Sequence, residues 1–291
     1  MRNTFIKKLT ELAKNNQNIF LLVADIGFGV VEEFESKFPN RFLNVGVAEQ
    51  NMTGIAAGLA AEGYHVFTYS IANFPTFRCA EQIRNDIDYH NLPVTVVSVG
   101  GGVAYGNLGY SHHAVQDYGL MRMMPNFTLA APGDPNEVQC ALEYLIKNPG
   151  PSYLRLGKNN EITVTEKNKQ LKPGKWYGLS DNKGTDEIIL STGTALQWVL
   201  KNKKKFIKKD IYTIPIWGAN FKGSQKNLSS NFSSITTIED HIFDCGFGSW
   251  FREAVSFSKT NKDVKSYALP SNLKYVAASQ DKIMENINLY N

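Results

Sequence analysis

The sequence predicts an α/β protein of two units, on three observations. Short strand-like runs alternate with helical patterns, the strand runs are apolar without alternation, and one composition break divides the chain. Unbroken hydrophobicity marks a strand buried on both faces, as in a parallel sheet between helix layers.

Residues 19–25, 94–99 and 127–131 read as such strands, and so do 187–191, 211–215, 234–239 and 265–269. Helical patterns fall near 4–15, 49–62, 75–89, 134–147, 195–203 and 246–258. The break at 158–185 is rich in Asn, Lys and Gly with little helical period, including Asn159, Asn160, Lys167, Pro173, Gly174 and Gly184. One domain is therefore expected at 1–158, a linker with at most a short strand or two at 159–184, and a smaller domain at 185–291.

Of the 291 residues 43% are apolar and 20% charged, enough to build a core and too few charges for a disordered chain. The net charge of +4 is concentrated in one run, Lys201, Lys203, Lys204, Lys205, Lys208 and Lys209. With only Phe206 among them, these lysines read as a solvated face, and no nucleic-acid partner is expected. No apolar stretch approaches a membrane span and no leader precedes the first amphipathic stretch, so a membrane is not expected either. Cys79, Cys140 and Cys245 are widely spaced without a C-x-x-C pair, as reduced thiols of a cytoplasmic protein would be.

The most informative segment is Arg41 to Ala61. A strand ending near Gly46 leads to Glu49 and Gln50 at the start of a helix built from Gly54, Ala56, Ala57, Gly58, Ala60 and Ala61. Each helical glycine costs about 1 kcal/mol against alanine, so two of them imply close approach of another backbone. Glu49 is then either an ordinary first-turn acid favoured by the helix dipole or a buried acid beside a tight contact between subunits.

The string Gly46-Val-Ala-Glu49-Gln50-Asn51-Met52, with Gly54 and Gly58 after it, resembles the pyrimidine-binding domain of transketolases and 1-deoxyxylulose-5-phosphate synthases. The resemblance implies a thiamine diphosphate-binding fold of the pyrimidine type, followed by a transketolase C-terminal-like domain. In that family the glutamate hydrogen-bonds a ring nitrogen of the cofactor's aminopyrimidine and thereby generates the nucleophilic thiazolium ylid; here that residue is Glu49. The role needs a carboxyl that holds or shares a proton near neutral pH, which burial favours and a helix N-terminus opposes.

Other segments carry the resemblance further. Tyr69-Ser-Ile71-Ala-Asn-Phe74-Pro-Thr-Phe77-Arg78 is similar to the family's next strand-to-helix turn. Phe74 falls at the position that stacks on the aminopyrimidine, with Phe77 beside it and Ile71 one turn earlier. Read without the family, Phe74 and Phe77 at i and i+3 are equally core residues. The loop Gly100-Gly101-Gly102 to Gly109-Tyr110-Ser111-His112-His113 matches neither G-x-G-x-x-G nor G-x-x-x-x-G-K-[ST]. It resembles the family's Gly-x-x-Gly-x-Thr-His loop, which makes His112 the histidine facing thiazolium and substrate, a residue type suited to proton transfer at neutral pH. Arg155, in Gly150-Pro151-Ser-Tyr153-Leu-Arg155-Leu, is expected either at a substrate phosphate or as an ordinary strand-end arginine. Glu239-Asp240-His241 and Gly246-Phe247-Gly248-Ser249-Trp250 resemble the family's last domain, where they imply fold and packing rather than chemistry.

Two departures stand out. Leu108-Gly109-Tyr110-Ser111-His112 replaces the family's Asp-Gly-Pro-Thr-His, removing an aspartate that contacts sugar hydroxyls. A phosphate-contacting histidine of the family, twelve residues ahead of the loop histidine, falls at Gly100.

The diphosphate-binding signature, Gly-Asp-Gly with a later asparagine, is absent, and no residues with Mg²⁺-binding spacing are recognised. The expectation is a partner subunit carrying the diphosphate and Mg²⁺, in a heterotetramer of two plus two around shared thiamine diphosphate sites. The implied reaction moves a two-carbon ketol unit from a sugar, a ketose expected to be phosphorylated, to an aldehyde. A 2-oxoacid dehydrogenase beta-type subunit, a deoxyxylulose-phosphate-type synthase and a non-catalytic scaffolding subunit stay open as alternatives.

Overall fold

The computed structural model describes residues 1–256 and 263–290. Among them the strands form a seven-stranded and a six-stranded sheet. The first comprises β1 (Ile19–Val23), β2 (Phe42–Asn44), β3 (His65–Ile71), β4 (Val94–Val99), β5 (Thr128–Ala130) and β6 (Ser152–Leu156), all parallel. The second comprises β7 (Tyr177–Gly178), β8 (Glu187–Ser191), β9 (Asp210–Thr213), β11 (Ser234–Ile242), β12 (Asp263–Leu269) and β13 (Asn288–Tyr290). Its four inner strands are parallel, and β7 and β13 run antiparallel at the edges. Strand β10 (Ile216–Trp217) leaves the second half of the sequence and pairs antiparallel with β5, closing one edge of the first sheet.

The unbroken apolar strands do serve two layers at once. Along β1, Phe20 and Leu22 point to one core while Ile19, Leu21 and Val23 point to the other. Along β4, Val94 and Val96 join the first core and Val97 and Val99 the second. The helix Glu49–Ala61 covers one face through Met52, Ala56, Ala57 and Ala60. Helices Arg2–Asn15 and Pro135–Lys147 cover the other through Phe5, Leu9, Val138, Leu142 and Leu145. The first of these cores continues into the second sheet through Ile188, Leu190, Trp217, Ile235 and Trp250.

Four segments differ from their sequence reading. The strand expected to end near Gly46 stops at Asn44, and Gly46 takes φ +74° in the turn that follows. The helix expected over 75–89 is broken into Phe74–Phe77, Ala80–Gln82 and a wide turn at Ile83–Asp88, with Cys79 at φ −113° between the first two. Strand β10 carries no sequence signal, since two residues cannot display a period. The helix expected over 246–258 runs Phe247–Val255, and positions 257 and 258 lie outside the described residues.

Arg155 of β6 binds the two sheets together. Its Nε donates to Asp117 Oδ2 (2.7 Å), Nη1 to Asp240 Oδ1 (2.7 Å) and Tyr118 Oη (3.1 Å), and Nη2 to the carbonyls of Ala114 (2.9 Å) and Asp240 (3.4 Å). Asp240 belongs to β11 of the second sheet, and its other oxygen accepts from the Thr194 hydroxyl. The guanidinium lies over the Tyr118 ring at 4.3 Å.

Candidate active site

Strands β1 to β4 are parallel, so the loops that follow them meet at one edge of the sheet. The chain order places β2 on one side of β1 and β3 on the other. Strand order reverses there, and in open α/β sheets the carboxyl ends at such a reversal form a natural crevice. Glu49 follows β2, Ile71 ends β3 with Ala72 to Arg78 after it, and the loop 100–113 follows β4.

Glu49 opens its helix with the side chain turned inward, 2% exposed. Its Oε1 accepts from Ser70 Oγ of β3 (3.1 Å), and its Oε2 accepts from Arg78 Nη1 (2.6 Å). The buried-acid reading of this position therefore describes the side chain within this chain. Gly54 and Gly58 lie on the outward side of the same helix, and among the described residues nothing beyond that helix's own backbone comes within 4 Å of where a Cβ would stand. Among the described residues no other backbone makes the close approach expected of them.

Phe74 is half-buried and central. The Arg78 guanidinium lies over its ring at 4.6 Å, and His112 meets the same ring edge-on with 5.2 Å between centroids. Asn73 Nδ2 donates to the Ser111 carbonyl (3.1 Å), tying the turn after β3 to the loop after β4. Ile71 is half-buried, whereas Phe77 is 48% exposed and makes no ring contact among the described residues. Glu49, Phe74 and His112 thus gather through Arg78 and a shared ring, with Phe77 at the margin.

The two histidines separate by burial. His112 is half-exposed, with Nδ1 3.0 Å from Ser111 Oγ and no partner at Nε2 among the described residues. His113 is buried, with Nε2 3.4 Å from the Gly106 carbonyl, and burial pulls its pKa down. Only His112 is free to meet a ligand.

Gly100 stands at φ +80°, and a Cβ there would come within 2.1 Å of the Tyr105 ring. Tyr105 fills the space that a side chain at position 100 would need. Lys158 Nζ lies 4.7 Å from the Tyr105 centroid and makes no ion pair among the described residues, and the Tyr105 ring is 6.4 Å from that of His112. The sequence reading missed Lys158; its one signal was a cation just past the end of β6, three residues after the more conspicuous Arg155. All five N–H groups of Arg155 are taken and its side chain is buried, so none is left for a substrate phosphate. Of the two expectations for Arg155, the strand-end structural role is the one this geometry allows.

The residues fit an aminopyrimidine on one direct observation. A flat, cationic guanidinium already makes both contacts such a ring needs, a hydrogen bond to the Glu49 carboxylate and stacking on Phe74. Among the described residues no group of three or more His, Cys, Asp or Glu is arranged to hold a metal ion. Among them, too, no helix is long and apolar enough to cross a membrane.

Comparison with known proteins agrees with this fold. Residues 1–162 match the family model described as "Transketolase, pyrimidine binding domain". A putative transketolase C-terminal section from Methanocaldococcus jannaschii is 32% identical over 90% of this chain and 84% of its own length. One subunit of the apulose-4-phosphate transketolase of Actinobacillus succinogenes is 28% identical over 88% of this chain and 83% of its own. A 1-deoxy-D-xylulose-5-phosphate synthase from Clostridium perfringens is 30% identical over 98% of this chain, which spans only 46% of that protein. Among solved structures, a split gene transketolase in the form of an inactive β4 tetramer superposes with a TM-score of 0.79 at 28% identity, over 94% of this chain and 90% of that one.

Proposed function

The chain belongs to the transketolase family by its pyrimidine-binding domain and is a split-transketolase-type subunit, and we propose that it supplies the aminopyrimidine half of a thiamine diphosphate site shared with a partner subunit. The observation that carries the proposal is the buried Glu49 carboxylate joined through Arg78 to the Phe74 ring, with His112 packed against the same ring. When bound, the cofactor supplies an acidic thiazolium carbon and an electron sink for cleaving a carbon–carbon bond.

This chain's residues divide the remaining work. Glu49, oriented by Ser70 Oγ, holds or shares a proton with a ring nitrogen of the aminopyrimidine. Phe74 packs against the ring, and Ile71 and Phe77 border it. His112 moves a proton or steadies oxyanion charge on the substrate, with Ser111 Oγ orienting its Nδ1. Lys158, rather than Arg155, meets the phosphate of a sugar substrate, because its ammonium makes no ion pair among the described residues and lies over Tyr105, whose ring is 6.4 Å from that of His112.

The partner subunit binds the diphosphate and Mg²⁺, in a cytoplasmic heterotetramer of two plus two. Relatives named as one subunit of a transketolase and as a C-terminal section support a divided enzyme, and so does a neighbour whose tetramer of β chains is described as inactive. The reaction is transfer of a two-carbon ketol unit from a ketose phosphate to an aldehyde. A pyruvate-consuming synthase is the second reading, supported by the Clostridium perfringens relative. Assaying the reconstituted pair separates them: ketol transfer without CO₂ supports the first reading, and CO₂ release from pyruvate supports the second.

A further inference from the structure

We propose that Arg78 is a built-in competitor for the aminopyrimidine position, occupying it in the cofactor-free subunit and setting how tightly thiamine diphosphate binds. This rests on the reading of Glu49 and Phe74 as the pyrimidine site, and it adds a residue and a step to that reading.

The geometry is specific to that position. Arg78 Nη1 donates to Glu49 Oε2 at 2.6 Å, while its Cζ lies 4.6 Å from the Phe74 centroid. One side chain therefore uses both surfaces that the aromatic ring of a ligand would use. Arginine suits this substitution as lysine does not, because its donor group is planar and stacks while it hydrogen-bonds. The two partners differ in exposure: the Glu49 side chain is 2% exposed and the Arg78 side chain 44%. A carboxylate buried to that degree must keep a partner, whereas an arginine nearly half in solvent can swing outward at small cost.

The local fold allows the swing. Arg78 stands between the short helices Phe74–Phe77 and Ala80–Gln82, at the break that interrupts the expected continuous helix. It makes no other ion pair or side-chain hydrogen bond among the described residues. Cofactor binding then exchanges one planar partner of Glu49 for another, and the buried carboxylate is paired throughout. The apparent dissociation constant equals the intrinsic one divided by the fraction of subunits in which Arg78 has left. Arg78 is thus a positioning residue, not a catalytic one.

The test is a calorimetric titration of thiamine diphosphate with Mg²⁺ into the reconstituted pair, using wild type, Arg78→Ala, Arg78→Lys and Glu49→Ala. Arg78→Ala is expected to lower the dissociation constant by about three- to ten-fold, and Arg78→Lys to fall between it and wild type. Thermal melts of each variant check that the fold is kept. Unchanged or weaker binding by Arg78→Ala overturns the competitor role. Glu49→Ala controls the underlying reading: it is expected to weaken binding, and if it does not, the pyrimidine site itself is misassigned.

Discussion

The Phe74 ring and the His112 imidazole meet edge to face, 5.2 Å between centroids at 71°. The contact joins the turn after β3 to the loop after β4, and the Asn73–Ser111 hydrogen bond reinforces it. A group packed on Phe74 therefore lies near His112, so in the proposed site one aromatic ring sets the spacing between a bound heterocycle and the imidazole.

Glu49→Gln is expected to lower ketol transfer by the reconstituted pair at least about a hundred-fold, the scale of a lost proton-transfer group. Glutamine can still face Ser70 and Arg78, so the circular dichroism spectrum and partner binding should be unchanged. Turnover within a few-fold of wild type would remove Glu49 from the chemistry.

His112→Ala is expected to cut kcat by roughly a hundred-fold while moving thiamine diphosphate affinity less than about three-fold. The reverse pattern, weak cofactor binding with normal kcat at saturation, would place His112 on the cofactor side.

Lys158→Ala should raise KM for a phosphorylated sugar about ten-fold and leave an unphosphorylated analogue nearly unaffected, as expected for one lost charge-assisted contact. Equal effects on both substrates would rule out a phosphate role. Arg155→Leu behaves otherwise: it leaves Asp117 and Asp240 buried without their cation, and a stability loss of about 3–5 kcal/mol should appear in urea unfolding.

Much of this was legible in the sequence, for reasons that can be named. Strands β1, β4 and β8 were read from apolar runs because both faces are buried, and Glu49 because its surrounding string is distinctive. The Arg78 contact was not legible, since an arginine after a helical turn has no pattern that tells a solvated side chain from a stacked one. The burial of Arg155 depends on Asp240, 85 residues away on another sheet. The break of the helix expected over 75–89 was hidden because Phe74 to Phe77 and Ala80 to Asp88 keep a helical pattern on either side of Cys79. The outward glycines Gly54 and Gly58 suggest close approach of another backbone, and among the described residues none approaches them.

Stability should fall as pH rises from 6.5 to 8. Burial pushes Glu137 up to about 7 and Glu239 up to about 8, from an ordinary 4.5, although Glu239 accepts from the Phe247 and Gly248 amides. Acids with raised folded-state pKa values give stability that is complete below 4.5 and lost as pH climbs through 7 and 8. Burial lowers His65 and His241 to about 4, and that works the opposite way, but only below 6.5. Urea unfolding at pH 6.5 and 8 should show a loss of about 1–2 kcal/mol, and Glu239→Gln should flatten it. A rise over that interval would contradict the assignment.

The most direct measurement is thiamine diphosphate with Mg²⁺ titrated into this chain alone, into its partner alone and into the mixture. Saturable binding with full affinity only in the mixture, lost again on changing Glu49 to alanine, is the result this account expects. Full-affinity binding by this chain alone, or an indifferent Glu49 variant in the mixture, would contradict it.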